Sequence, residues 1–162
     1  MTTKILGIVG PSMSKIPNDE NLILALKNEV RRAMVGDWDE IASGGATGID
    51  EFAKQIAAEQ RLMFRAIIPR HNHWDGSYKS CPTPNDCFGF KARNMALANW
   101  VTKLVCIVFN IESWPKWGPL CYHCLSRLDS KLVTHRANGG CWTLNYAQDI
   151  GKDVELREVI EW

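Results

Sequence analysis

The sequence predicts an α/β fold built on a mainly parallel sheet, and three observations predict it. Short apolar runs alternate with amphipathic stretches as β-α-β-α-β from Lys4 to Ile68, which with short connections implies parallel strands joined by right-handed crossovers. Lys103 to Phe109 is almost continuously apolar, the pattern of a strand buried on both faces. A glycine-rich turn, Ala42-Ser43-Gly44-Gly45-Ala46-Thr47-Gly48-Ile49-Asp50, hands one apolar run to a helix, and such strand ends are where α/β sheets hold ligands.

A chain of 162 residues suits one domain with a substantial core. Residues 1–162 are therefore expected to form a single domain, with irregular insertions at about 70–89 and 110–138. Lys4 to Val9 reads as a buried first strand feeding Gly10-Pro11-Ser12. There Gly10, Ser12, Ser14 and Lys15 could meet a phosphate or serve as ordinary loop residues. Asn18 or Asp19 caps a helix with Leu22, Leu26, Val30 and Ala33 or Met34 on its apolar face, closed by Gly36. Trp38 to Ala42 gives the second strand, and Ile49, Phe52, Ala53, Ile56 and Ala57 recur at helical spacing as far as about Gln60. Phe64 to Ile68 is the third strand, stopped by Pro69. Phe90 to Trp100 reads as a helix, Lys103 to Phe109 as the fourth strand, and Leu125 to Leu132 as a short helix. Asn138-Gly139-Gly140-Cys141-Trp142-Thr143 opens a helix over Leu144 to Ile150, with Gly151 at its C-terminal cap and Asp153 to Ile160 as the final strand.

The first glycine turn has the chemistry of a phosphate cradle. Gly44, Gly45 and Gly48 allow positive φ and close approach of a ligand. Amides at the helix start favour an anion, and the hydroxyls of Ser43 and Thr47 add donors. Bonds from such donors to a charged group are worth roughly 1.5 to 3 kcal/mol each. The same residues also fit a plain strand-to-helix junction, with Thr47 or Asp50 satisfying local amides. Gly139 and Gly140 repeat the pattern before a second helix, so the two turns are expected to share one rim. In Lys91-Ala92-Arg93-Asn94, Arg93 has the fork to clamp a phosphate and Asn94 can read a base or ribose edge; a solvated helix face is the plain alternative. Trp74, Trp114, Trp117 and Trp142 lie in or beside the candidate ligand loops, with Trp142 placed best to stack on a base.

With 19 basic and 18 acidic residues the net charge is +1, which implies no general attraction to nucleic acid or to an anionic membrane. The first apolar run is shorter than a secretory core and no later run approaches a membrane span, so a soluble, cytoplasmic protein is expected. Cys121-x2-Cys124 has the bite of a zinc knuckle. Cys81 and Cys87 would complete four thiolates if the two irregular segments meet, with His71, His73 or His123 as substitutes; free thiols or a disulfide are the alternatives.

Ser-Gly-Gly-Ala-Thr-Gly-Ile-Asp at 43–50, Lys-Ala-Arg-Asn-Met at 91–95 and Gly-Gly-Cys-Trp-Thr at 139–143, followed by Gly-Lys-Asp-Val at 151–154, together resemble the SLOG superfamily. That group includes the Lonely Guy cytokinin phosphoribohydrolases, the lysine decarboxylase-like proteins, the DNA-processing protein A family and small standalone nucleotide-binding members. The resemblance implies a Rossmann-like, doubly wound sheet of about five strands with helices on both faces, and a nucleotide-derived ligand at the strands' carboxyl ends. It assigns Gly44, Gly45, Ala46 and Thr47 to phosphate, Arg93 and Asn94 to the ribose or phosphate side, and Gly140 and Thr143 to the second turn. It also implies a homodimer. The phosphoribohydrolase pattern PGGxGTxxE ends in a glutamate, whereas Gly139 to Tyr146 carries no carboxylate. Cleavage of an N-glycosidic bond would need Asp50 or Glu51 as the catalytic carboxylate instead. The expected function is binding of a nucleotide or nucleotide-derived ligand, as sensor or sponge. The alternatives are a nucleoside monophosphate phosphoribohydrolase and a single-stranded DNA-binding module.

Overall fold

The computed structural model describes residues 2–75, 83–109 and 139–162. Five strands, β1 (Ile5–Val9), β2 (Glu40–Ser43), β3 (Phe64–Ala66), β4 (Lys103–Phe109) and β5 (Asp153–Val159), pair in parallel in the order β3-β2-β1-β4-β5. Among the described residues, four α-helices cover them: α1 (Glu20–Ala33), α2 (Ile49–Glu59), α3 (Phe90–Trp100) and α4 (Gly139–Asp149). The expected parallel α/β sheet is therefore present, and the chain reverses its direction of growth between β1 and β4.

Side chains alternate across the sheet and divide the core in two. Leu6, Ile8, Val105, Ile107 and Phe109 pack with Leu22, Leu26 and Val30 of α1 and Phe52 and Ile56 of α2. Ile5, Val9, Leu104, Cys106 and Val108 pack with Ala92, Ala96 and Leu97 of α3 and Leu144 and Ala147 of α4. Every residue of β1 is buried, because it has a strand on each side and a helical layer on each face. That is why Ile5 to Val9 is an unbroken small or apolar run rather than an alternating one.

The helix ends are set by short-range chemistry. The Asp19 carboxylate accepts the amides of Asn21 and Leu22 and starts α1. Gly151, at φ +84°, ends α4 in the expected cap position. The buried Glu40 carboxylate accepts from Arg65 Nε at 2.9 Å and Trp100 Nε1 at 2.7 Å, tying β2 to β3 and α3. No helix among the described residues is long and apolar enough to cross a membrane.

One boundary departs from expectation in a way that matters for the site. Gly139 and Gly140 are not a turn before the last helix; they are its first residues, and α4 begins five positions before Leu144. A helix's opening residues have no intrahelical partner for their amides, so glycine weakens the helix less there than in its interior and leaves that end bare of side chains.

Candidate functional site

A cavity of ≈ 220 Å³ lies at the carboxyl ends of β1 and β2, roofed by the starts of α2, α3 and α4. This is the crevice where an open parallel sheet reverses its strand order. Gly10, Ser12 and Lys15 enter from the loop after β1, Gly44 and Ala46 from the turn after β2, and Asp50 from α2. Trp74, Phe90, Arg93, Asn94 and Leu97 line it from the α3 side, with Gly140 and Thr143 from α4. The two glycine stretches, far apart in sequence, thus border one hollow.

The first turn is divided between two faces. Gly44 and Ala46 face the cavity, whereas Gly45, Thr47 and Glu51 border a neighbouring groove of ≈ 490 Å³ with Lys54 and Gln55; Ala46 and Asp50 touch both. Glu51, expected as a candidate catalytic carboxylate, is exposed and does not line the cavity. Its position in the helical period turns it toward solvent while Asp50 turns inward.

Several expected phosphate donors already have partners. Ser43 Oγ donates to the Ile8 carbonyl at 2.6 Å, stitching β2 to β1. Thr47 Oγ1 accepts the Met13 amide at 3.3 Å, and the Ile49 amide donates to the Pro11 carbonyl at 3.2 Å. The Ala46 amide donates to the Asp50 carboxylate at 3.1 Å. The chain's own Asp50 carboxyl group therefore already occupies this turn. A carboxylate in a helix's first turn is drawn to such amides by the same force that would draw a phosphate.

Gly44 is where the charged groups of the site meet. A Cβ there would lie 2.5 Å from Arg93 Nη1 and 2.9 Å from Asp50 Oδ2. Arg93 Nη1 donates to the Gly44 carbonyl, its Nε donates to Asn94 Oδ1 at 2.8 Å, and its guanidinium lies 5.4 Å from the Phe90 ring centre. Burial raises the proton affinity of Asp50 above the ordinary carboxylate value, against the opposing pull of the Arg93 charge and the Ala46 amide. Burial lowers that of Arg93, opposed by the negative charge of Asp50.

Sequence reasoning missed Asp75. Its buried carboxylate accepts the amides of Gly89 at 3.1 Å, Lys91 at 2.7 Å and Ala92 at 3.3 Å, capping α3 from a loop that precedes the helix by many residues. Gly89 is required beside it, since a Cβ there would come within 2.7 Å of the carboxyl carbon. Asp75→Ala leaves those amides without their acceptor and is expected to cost about 2 kcal/mol in a urea-unfolding measurement. Asp75→Asn, which keeps one acceptor oxygen, should recover part of the loss.

The aromatic assignment also shifts. Trp142, the expected stacking residue, does not line the cavity; its ring stacks on Tyr146 with centroids 5.4 Å apart and planes 6° apart. Trp74 lines the cavity instead and meets Trp142 edge to face at 5.0 Å. Of the expected zinc ligands, Cys81, Cys121, Cys124 and His123 lie outside the described residues, as do Trp114, Trp117 and the Leu125 to Leu132 segment. Cys87 is buried and its Sγ donates to the Thr83 carbonyl at 3.2 Å, while His71 and His73 pack on Phe88. Among the described residues no group of three or more His, Cys, Asp or Glu is gathered for a metal.

Fold and cavity together define a Rossmann-like α/β protein with a hollow at its topological switch point. No family model matches the chain, and no curated protein matches it. The chain is similar in structure to TM1055, solved by X-ray as a target of the Northeast Structural Genomics Consortium, with a TM-score of 0.53 at 17% identity over 94% of this chain and 72% of that one. At that identity the likeness is one of fold.

Proposed function

We propose that this chain binds a nucleotide or nucleotide-derived ligand in the cavity, as a small SLOG-like protein, with binding itself as the activity. The observation that carries this reading is the meeting of four separated stretches, Gly10 to Lys15, Gly44 to Asp50, Phe90 to Asn94 and Gly140 to Thr143, around one hollow at the switch point. Because Asp50 already holds the Ala46 amide, the phosphate belongs at the glycine start of α4, with Lys15 and Ser12 within the same cavity. Asp50 and Arg93 then face the sugar.

The test is a thermal-shift and calorimetric screen of AMP, ADP, ADP-ribose and ribose 5-phosphate. A ligand at a hundred times its dissociation constant adds about 2.7 kcal/mol to stability. Lys15→Gln is expected to weaken the phosphate-bearing ligands about tenfold, a single charge interaction's worth. No response to any of the four ligands would remove the reading.

A second reading rests on Asp50. A carboxyl group whose proton affinity is raised by burial, set in a cavity beside a guanidinium, has the properties of a general acid for N-glycosidic cleavage. Release of free base from a nucleoside monophosphate, abolished in Asp50→Asn, would establish this activity. Tight binding without release leaves the sensor or sponge.

A further inference from the structure

The cavity wall on the α3 side carries a large indole that is 41% exposed, Trp74. Its setting is fixed from two directions. On one side it abuts Trp142, which is itself stacked on Tyr146, forming an aromatic row that continues onto α4. On the other, its chain neighbour Asp75 is locked to three amides at the start of α3. Phe90 and Leu97 extend the apolar lining beside it. A phosphate and a ribose gain little from an indole, whereas a planar base gains both apolar contact and stacking.

We propose that Trp74 is the specificity-determining residue of this cavity, selecting ligands that carry an aromatic base by stacking on it. The inference rests on the nucleotide reading above and deepens it. Trp142 acts through Trp74, as a brace rather than a contact, because it does not line the cavity and one of its faces is covered by Tyr146. Substituting either residue should therefore matter most for the part of the ligand that is flat, and least for the sugar phosphate.

The experiment compares AMP with ribose 5-phosphate by calorimetry on the full chain and its Trp74→Ala and Trp74→Phe variants. Trp74→Ala is expected to weaken AMP about tenfold or more and leave ribose 5-phosphate unchanged, while Trp74→Phe keeps most of the AMP affinity. AMP should also quench tryptophan fluorescence in the unmodified protein, and that quench should disappear in Trp74→Phe although AMP still binds. Equal weakening of both ligands would mean that Trp74 only supports its loop, and unchanged AMP binding would place the base elsewhere; either result overturns the inference alone. Should Trp74→Ala fail to fold, a quench persisting in Trp74→Phe has the same force. Absence of binding by the unmodified protein to either ligand would overturn the nucleotide reading, and this inference with it.

Discussion

Gly48→Ala is expected to destabilise the fold by about 4 kcal/mol, the sum of backbone strain and overpacking. Gly48 precedes α2 at φ +82°, ψ −129°, a conformation that residues with a Cβ avoid at a cost of roughly 1 to 3 kcal/mol. A Cβ built there would lie 2.5 Å from the Pro11 carbonyl oxygen and 2.7 Å from the Met13 amide nitrogen. Both are backbone atoms, so no rotamer change relieves the clash. The turn after β2 and the loop after β1 are also bonded at this point, through the Ile49 amide to the Pro11 carbonyl and the Met13 amide to Thr47. Pushing them apart displaces Ser12 and Ala46, which line the cavity, so the binding proposed there should fall with stability. Gly45→Ala supplies the contrast: it too has positive φ, +74°, but its Cβ would meet Cγ1 of Ile68 at 2.9 Å, in an exposed side chain that can change rotamer rather than in backbone. Its expected cost is about 1 to 2 kcal/mol. Urea unfolding of the two variants measures the difference, and equal midpoints would show that the approach of the two loops does not limit the fold.

The elements that sequence read well are those whose signal is local. The apolar run of β4 ends at Lys103 and Phe109 as expected, and α3 spans Phe90 to Trp100 as expected, because burial on both faces and helical periodicity are written into neighbouring residues. The features that escaped depend on partners that meet only after folding. Asp75 caps α3 across an intervening segment, and nothing in its immediate sequence marks it as a cap. Gly139 and Gly140 suggest a turn by composition, yet at a helix start the absence of Cβ atoms is tolerated and the helix simply begins earlier. For the turn at Gly44 to Gly48 the sequence offers two partners for the local amides, a ligand's phosphate and the chain's own Asp50, and does not choose between them. Deciding between a ligand's phosphate and Asp50 required knowing that the carboxylate folds back onto Ala46. Trp74 and Trp142 are equally aromatic on paper; only the stacking of Tyr146 separates brace from cavity wall.

Arg93→Met is expected to cost about 3 kcal/mol of stability at neutral pH, and distinctly less in acid. Part of the loss is the same at every pH: the Gly44 carbonyl and Asn94 lose a donor, and Phe90 loses the guanidinium against its ring. The remainder works through Asp50, whose folded proton affinity is already raised by burial above the ordinary carboxylate value of 3.8. A group raised in this way stabilises the fold while protonated in both states, and that contribution is lost as pH climbs from the unfolded value through the higher folded one. Arg93 opposes the rise, so its removal lifts the folded value further and enlarges the loss on the neutral side. Below the unfolded value, Asp50 is neutral in both states and has no charge for Arg93 to meet. The gap between the original chain and Arg93→Met should therefore widen as pH rises through the folded value of Asp50 in the original chain toward the higher one in the variant. In an Asp50→Asn background the same substitution should cost an amount that does not change with pH. A gap that stays flat with Asp50 present would mean that Asp50 and Arg93 do not couple as charges in the folded chain. The groups that would receive a ligand's sugar would then be held by hydrogen bonds and shape alone, with no electrostatic coupling between them.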